Sequence, residues 1–276
     1  VTNEEVIRAE LFLDEGDPFN KTKFEKSVAN LKARNLFGEV RTEIKNGSSN
    51  DLKIIDVFVE EKPTGEISAG AGVGTSGGTF NFKVQENNWL GKGLQISTFI
   101  DAKKESLKGA FTITDPNFRY SGNSLNYYVS NTKTDSERSG YENSLIATGI
   151  GTSFEQYQDL YISPAISLRF DDLTIKKASA STGLKKQEGS FTELAADYGI
   201  TLDKRNSPYM PTDGYISKFS QALPIYADAP FIQNTYSFST YKAFSADLIG
   251  AFKIYGSAIN GLNDEDVRLS KRKNLS

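Results

Sequence analysis

Asp171 beside Asp172, and Asp203 two residues before Arg205, are the carboxylate groupings in this chain that could do chemistry. Paired acids can share a proton in general acid/base catalysis or hold Ca²⁺. Adjacent residues of a strand point to opposite faces, which rules out a shared proton for Asp171 and Asp172. Asp203 and Arg205 fall on the same face and read as a structural ion pair. His and Cys are both absent. That removes thiol nucleophiles, disulfides, zinc fingers, histidine-ligated haem and every Ser-His-Asp or Cys-His set. The expectation is a protein with no catalytic residues, no metal and no cofactor, hence not an enzyme.

If the residues do no bond chemistry, the elements that carry them must explain the function. The chain has 276 residues and a mass of 30.4 kDa, room for one large domain or a small one plus a larger one. Its formal charge of −3 and pI near 5.3 offer no general attraction to nucleic acid, so no nucleic-acid partner is expected. Up to Lys62 there are 10 basic and 13 acidic residues, leaving 22 of each in the remainder, and this asymmetry marks a boundary near residue 62. The segment starts at Val1 with neither an initiator Met nor a leader, which predicts that it begins mid-protein. No run of 18 apolar residues could form a transmembrane helix. A hydrophobic fraction of 38% and a mean hydropathy of −0.43 still suit a membrane β-barrel, whose strands spend half their residues on a polar interior.

Residues 1–62 have mixed periodicity. Thr2 with Glu5 predicts a capping box opening a short helix over Val6, Ile7 and Leu11. Asn20 predicts the N-cap of a second helix with an apolar stripe at Phe24, Val28 and Leu31, ended by Gly38. The charged faces at Glu25, Lys26, Lys32 and Arg34 are expected to be solvated. Two strands follow, Val40 to Ile44 and Leu52 to Val59, joined by the turn-rich Asn46–Asn50. The edge at Phe37, Glu39, Val40 and Arg41 could pair with an extended peptide. For the side chains of Leu36 and Phe37, closing a small core is the better reading.

Beyond Pro63 the helical signal gives way to alternation. Phe80, Phe82 and Val84 interleave with Asn81, Lys83 and Gln85, and Leu160 to Phe170 repeats the pattern at even positions. About eleven such strands are expected over residues 63–276. Segments of nine to eleven residues suit a tilted crossing of a bilayer, and aromatics near strand ends (Trp89, Tyr120, Phe154, Tyr157, Tyr209 and Tyr226) suit interfacial girdles. The competing reading is a soluble sandwich. Bacterial barrels close with even strand numbers, so eleven strands followed by the charged stretch Asn263 to Lys273 predict a barrel cut short.

The strand from Glu66 to Thr75 carries Gly70, Gly72 and Gly74. Glycine adds no side-chain contacts, so this strand should open readily, unless its glycines merely accommodate curvature or bulky neighbours. Trp89-Leu90 beside Gly91 and Gly93 predicts a tight turn with an aromatic anchor at a membrane interface, against a soluble hairpin with a core Trp.

Val6 to Leu11, Glu15 to Asn20 and Arg34 to Val40 resemble a POTRA domain, the periplasmic module of order β-α-α-β-β. Its first strand would lie just before Val1. Val59 to Gly65 resembles the junction between the last POTRA and the barrel in the BamA family of outer-membrane β-barrel assembly proteins. The Gly-rich first strand, the turn Glu86 to Gly93, Thr114 to Phe118, and Leu202-Asp203-Lys204-Arg205 with Pro211-Thr212-Asp213-Gly214 extend the likeness in order along the chain. The resemblance implies a last POTRA domain at 1–62 and about eleven strands of a sixteen-stranded antiparallel barrel at 63–276, with an Arg-Gly-Phe motif falling just after Ser276. It also implies an outer-membrane insertase of a Gram-negative bacterium with its POTRA in the periplasm. Unfolded outer-membrane clients would pair with Glu66, Ile67, Ser68, Ala69, Gly70, Ala71, Gly72, Val73 and Gly74. Accessory membrane-anchored lipoproteins, periplasmic chaperones and outer-membrane lipid would be further partners. In such a barrel the Asp203–Arg205 pair would sit in the lumen. A related POTRA-barrel transporter secreting a polypeptide, a passive porin and an outer-membrane hydrolase are the alternatives.

Overall fold

The computed structural model describes residues 1–49, 52–74, 77–207, 210–245, 248–263, 267, 268 and 271. Thr75, Tyr209 and the end of the chain, which the sequence reading also singled out, lie outside the described residues.

The first 61 residues form helix α1 (Glu4–Arg8), helix α2 (Lys21–Ala33) and an antiparallel pair, β1 (Phe37–Asn46) and β2 (Lys53–Glu61). Asn20 caps α2 as expected, its side chain accepting from the Lys23 N–H at 3.0 Å. Three local expectations need correction. Asn3, not Thr2, precedes α1 and makes no side-chain cap, because the Thr2 hydroxyl is bonded to Glu61. Helix α2 stops at Arg34 and Asn35, the latter at φ 55°, while Gly38 lies inside β1. Arg34 is not a solvated surface residue: its side chain is 13% exposed and donates to the Gly93 carbonyl at 3.0 Å. A small core of Val6, Leu31, Leu36 and Phe37, lined by Ile7, Leu11, Val40, Val57 and Val59, joins the helices to the sheet. Buried Ser27 is satisfied on both sides, donating to the Lys23 carbonyl and accepting from the Phe12 N–H.

After three linker residues come eleven strands: β3 (Gly65–Gly74), β4 (Gly77–Trp89), β5 (Leu94–Lys103), β6 (Ser106–Asp115), β7 (Ser124–Ser136), β8 (Tyr141–Tyr157), β9 (Leu160–Ile175), β10 (Gly189–Asp203), β11 (Asp213–Ala227), β12 (Phe231–Ala243) and β13 (Ile249–Gly261). Each pairs antiparallel with its sequence neighbour in a single sheet whose edges are β3 and β13. The expected count of about eleven holds. A one-turn helix α3 (Thr182–Lys185) and a turn at Phe118–Tyr120 interrupt the predicted absence of helix beyond Pro63.

The register decides between membrane barrel and soluble sandwich. Ile67 faces Val84, Phe82 faces Ile100, Phe111 faces Val129, Ile150 faces Ile166, Ile200 faces Phe219 and Phe238 faces Ile254. All lie on one face of the sheet, where Val73, Leu107, Ile150, Ile166 and Phe252 are each at least half exposed. A sandwich would bury that face against a second sheet, whereas here the sheet is one layer and the opposite face is polar. An apolar surface so extensive belongs in hydrocarbon. Chain direction puts the turns after β4, β6, β8, β10 and β12 at the end where the N-terminal domain sits.

Candidate functional site

Strand β3 forms ten register pairs with β4, from Gly65 opposite Glu86 to Gly74 opposite Gly77, and none with any other strand among the described residues. Like β13, it lies at a margin of the sheet among the described residues. Ile67, Ala69, Ala71 and Val73 point to the apolar side, with Ile67 at 72% and Val73 at 93% exposure. Glu66, Ser68, Gly70, Gly72 and Gly74 point to the lumen. A Cβ on Gly70 would lie 2.7 Å from Asn81 Oδ1, and one on Gly72 would lie 3.2 Å from Thr79 Oγ1. These glycines therefore admit side chains of β4, as the bulky-neighbour reading expects. Strand length varies along the wall: β3, β5 and β6 have 10 residues each and β4 among them 13, against 17 in β8 and 16 in β9.

Trp89 ends β4, 47% exposed, and Leu90 (φ 55°), Gly91 (φ 71°) and Gly93 (φ 66°) reverse the chain. The turn faces the N-terminal domain, with the Asn3 N–H donating to the Gly91 carbonyl at 2.8 Å. Tyr120 sits in a turn and not on a strand, and its hydroxyl donates to Glu5 Oε2 at 2.9 Å. That bond holds the phenol above its ordinary pKa. Arg34 is pushed the other way, its guanidinium lowered by burial against the opposing pull of Glu10 and Asp115. On β1, Glu39 and Arg41 are exposed, whereas the Phe37 ring is core at 7% exposure and offers a partner only its backbone.

Asp203 and Arg205 do pair, through Nε at 2.8 Å and Nη2 at 2.6 Å. The pair stands on the lumen face but at the β10–β11 turn, below the body of the wall. Gly214 (φ 95°) and Pro211 belong to the same turn, in which Lys204 N–H donates to the Tyr215 carbonyl and Asn206 Oδ1 accepts from Thr212 N–H. The motif is turn architecture.

Sequence reasoning missed an ionic cluster inside the wall. Arg169 bonds Glu193 at 2.8 Å and Asp197 at 3.2 Å, with the Ser167 hydroxyl donating to Asp197. From beyond β13, Lys271 reaches Glu193 at 3.0 Å and Arg268 reaches Asp171 at 3.0 Å. Asp171 is 4% exposed and also accepts from Asn143 at 2.6 Å, and the Arg268 guanidinium lies 3.4 Å above the Phe191 ring. Arg268 and Lys271, within the charged stretch, thus lie at the lumen wall. The available signal was parity: Asp171, Phe191 and Glu193 all fall on inward positions. No group of His, Cys, Asp or Glu suited to a metal occurs among the described residues.

Comparison with known proteins agrees with this architecture. Residues 1–62 match a surface antigen variable number repeat, a POTRA, and residues 88–273 match the Omp85 superfamily domain. Outer membrane protein assembly factor BamA of Neorickettsia risticii is 25% identical over 98% of this chain and 37% of its own length. That of Neisseria meningitidis serogroup B is 25% identical over 92% and 35%. The chain thus spans about a third of the length of these relatives. The solved structure of Haemophilus ducreyi BamA lacking POTRA domains 1–3 aligns with a TM-score of 0.72 at 19% identity, covering 97% of this chain and 55% of that one. CdiB of Escherichia coli aligns at 0.60 with 15% identity, over 93% and 52%. With a POTRA segment leading into an antiparallel outer-membrane barrel wall, and a superfamily match across two thirds of its length, the chain belongs to the Omp85 superfamily.

Proposed function

We propose that this chain is the membrane-proximal POTRA and the first eleven wall strands of an outer-membrane insertase, which folds β-barrel clients by pairing their strands with β3 and does no bond chemistry. The observation that carries this reading is the small-residue make-up of β3, with Gly70, Gly72 and Gly74 on one face and Ala69 and Ala71 on the other, at a margin of a wall with one apolar face. In hydrocarbon each unsatisfied N–H or C=O costs several kcal/mol, so wherever β3 parts from its closing strand it captures any strand able to satisfy it, whatever its sequence. The short strands beside it support the same reading. Ten residues rising 3.4 Å each at a 45° tilt reach roughly 24 Å, short of an ordinary hydrocarbon core of about 30 Å, so β3, β5 and β6 favour a thinned bilayer, whereas the 13 residues of β4 reach roughly 31 Å. Clients reach the seam unfolded from the periplasm, handed on by chaperones, with the POTRA edge at Glu39 to Arg41 as a first contact and accessory lipoproteins docked on the same domain. Trp89 anchors the near interface. The protein resides in the outer membrane of a Gram-negative bacterium.

Polypeptide secretion through the lumen is the second reading, favoured by the fold shared with CdiB. Site-directed crosslinking separates the two. Cysteines at Ala69 or Ala71 in the full-length protein are expected to trap a client's terminal strand. Traps confined to lumen positions such as Ser130 and Thr132 would overturn insertion in favour of transport.

A further inference from the structure

The turn Glu86–Gly93 does more than reverse the chain. Asn88 is bonded in three directions: its Nδ2 donates to Thr2 Oγ1 at 2.7 Å, its Oδ1 accepts from Gly93 N–H at 2.8 Å, and its own N–H donates to Glu86 Oε1 at 2.7 Å. Thr2 is tied on to Glu61 at the end of β2, through its N–H at 2.7 Å and its hydroxyl at 3.0 Å. The same Glu86 oxygen accepts the Thr64 hydroxyl, and Asn87 donates to the Thr64 carbonyl from its backbone and its side chain. Arg34 reaches the Gly93 carbonyl from the end of α2. The POTRA, the linker and the first barrel turn are therefore closed into one hydrogen-bonded knot.

The knot encloses the root of β3. Thr64 precedes Gly65, the first residue of that strand, and Gly65 is register partner to Glu86. The turn is shaped for the contact: a Cβ on Gly91 would overlap the Val1 carbonyl, and one on Gly93 would stand 2.5 Å from Arg34 Nη2 and 2.9 Å from Val6 Cγ1. Asparagine suits the centre because it donates and accepts at once. Aspartate could not donate to Thr2 and would add a third carboxylate beside Glu61 and Glu86.

We infer that Glu86–Gly93 is a clasp, with Asn88 as its positioning residue, that fixes the root of β3 to the POTRA so that domain orientation and the strength of the seam's root change together. The clasp itself stands on the contacts above; its bearing on client entry rests on the proposed insertase function.

The test uses the full-length protein in lipid nanodiscs, spin-labelled at Ala29→Cys on the exposed side of α2 and at Gln158→Cys in the β8–β9 turn. Thr2→Val removes the bridging hydroxyl without touching the barrel, and Thr2→Ser restores it. Asn88→Ala is the companion variant. The parent and Thr2→Ser are expected to give one narrow interlabel distance. Thr2→Val and Asn88→Ala are expected to broaden it and to speed amide exchange at Gly65 to Ser68 at least tenfold, with exchange in β8 and β9 unchanged. Unchanged distances and unchanged exchange in both variants would overturn the clasp. Broadened distances with exchange at the root unchanged would overturn the coupling. Client insertion is scored separately: a loosened clasp with undiminished insertion leaves the coupling in place and counts against the insertase reading.

Discussion

Val129 and Ser130 are neighbours on β7, and the register gives them opposite surroundings. Val129 stands between Phe111 and Thr148 on the apolar face, whereas Ser130 stands between Ala110 and Ala147 on the lumen side. Lysine at Val129 would place an ammonium near the middle of the hydrocarbon. Such a substitution on the lipid face of a barrel costs about 2–4 kcal/mol. At 1.4 kcal/mol per tenfold change, that is a loss of about 30- to 700-fold in the folding equilibrium. Lysine at Ser130 enters a hydrated lumen beside two small alanines, where a tolerated surface change costs about 0.5 kcal/mol or less. The assay is equilibrium refolding of the full-length protein into lipid vesicles across a urea titration, with folded fraction read from gel mobility without heating. Val129→Lys should shift the midpoint strongly and Ser130→Lys barely. Equal shifts, or a larger one for Ser130→Lys, would refute the assignment of faces, and the membrane-barrel argument built on register would fall with it.

Leu31, 1% exposed in the POTRA core, should lose about 2–5 kcal/mol on Leu31→Ala, visible as earlier urea unfolding of that domain within the full-length protein; a loss near zero would show that the core is misassigned. Asp171→Ala leaves Arg268 buried and uncompensated, a penalty of about 3–5 kcal/mol, so the segment around Arg268 should leave the wall and trypsin should cut there faster; unchanged proteolysis would refute the anchor. Tyr120 donates to Glu5 only while protonated, and its pKa is raised in the folded protein. Its contribution is therefore complete below the ordinary phenol value of about 10 and is lost as pH rises through the raised one. Interlabel distance between α2 and the barrel should widen in alkali, and Tyr120→Phe should abolish that particular step.

The strands were legible because alternation is a local property of the chain: Phe80, Phe82 and Val84 declare a face without knowing their neighbours. The Asn20 cap was legible for the same reason, its partner being three residues away. What escaped the sequence lies far apart along it. Thr2 has the spacing of a capping residue, yet its hydroxyl is claimed by Glu61, 59 positions on. Asp171 reads as half of an adjacent acidic pair until Arg268, 97 positions away, comes back to meet it. Gly91 and Gly93 announce a turn, but only the docked POTRA shows that their missing Cβ atoms also make room for Val1 and Arg34. Gly38 was read as the end of α2 because glycine is the usual left-handed cap, whereas Asn35 takes that conformation itself.

Under the proposed insertase function, the tolerance of the seam would come from the same residues that leave β3 few side-chain contacts. Whichever strand closes the free edge of β3, the main-chain bonds gained are the same in kind, so replacing one closing strand by another leaves the number of hydrogen bonds unchanged. Discrimination must then come from side chains. On the apolar face β3 presents Ile67, Ala69, Ala71 and Val73, and on the lumen face three of its five positions are glycine. Cross-strand contacts worth about 0.2–1 kcal/mol per pair in an ordinary sheet are thereby reduced to a few small ones. Strand exchange under that proposal would depend on how far β3 opens from its tip, where Val73 and Gly74 face only Gly78 and Gly77. At its root, Glu86 holds Thr64, and Asn88 and Thr2 continue the link to Glu61 of the N-terminal domain. If the chain acts as the proposed insertase, an edge loose at one end and held at the other would release a finished strand while keeping its place in the wall.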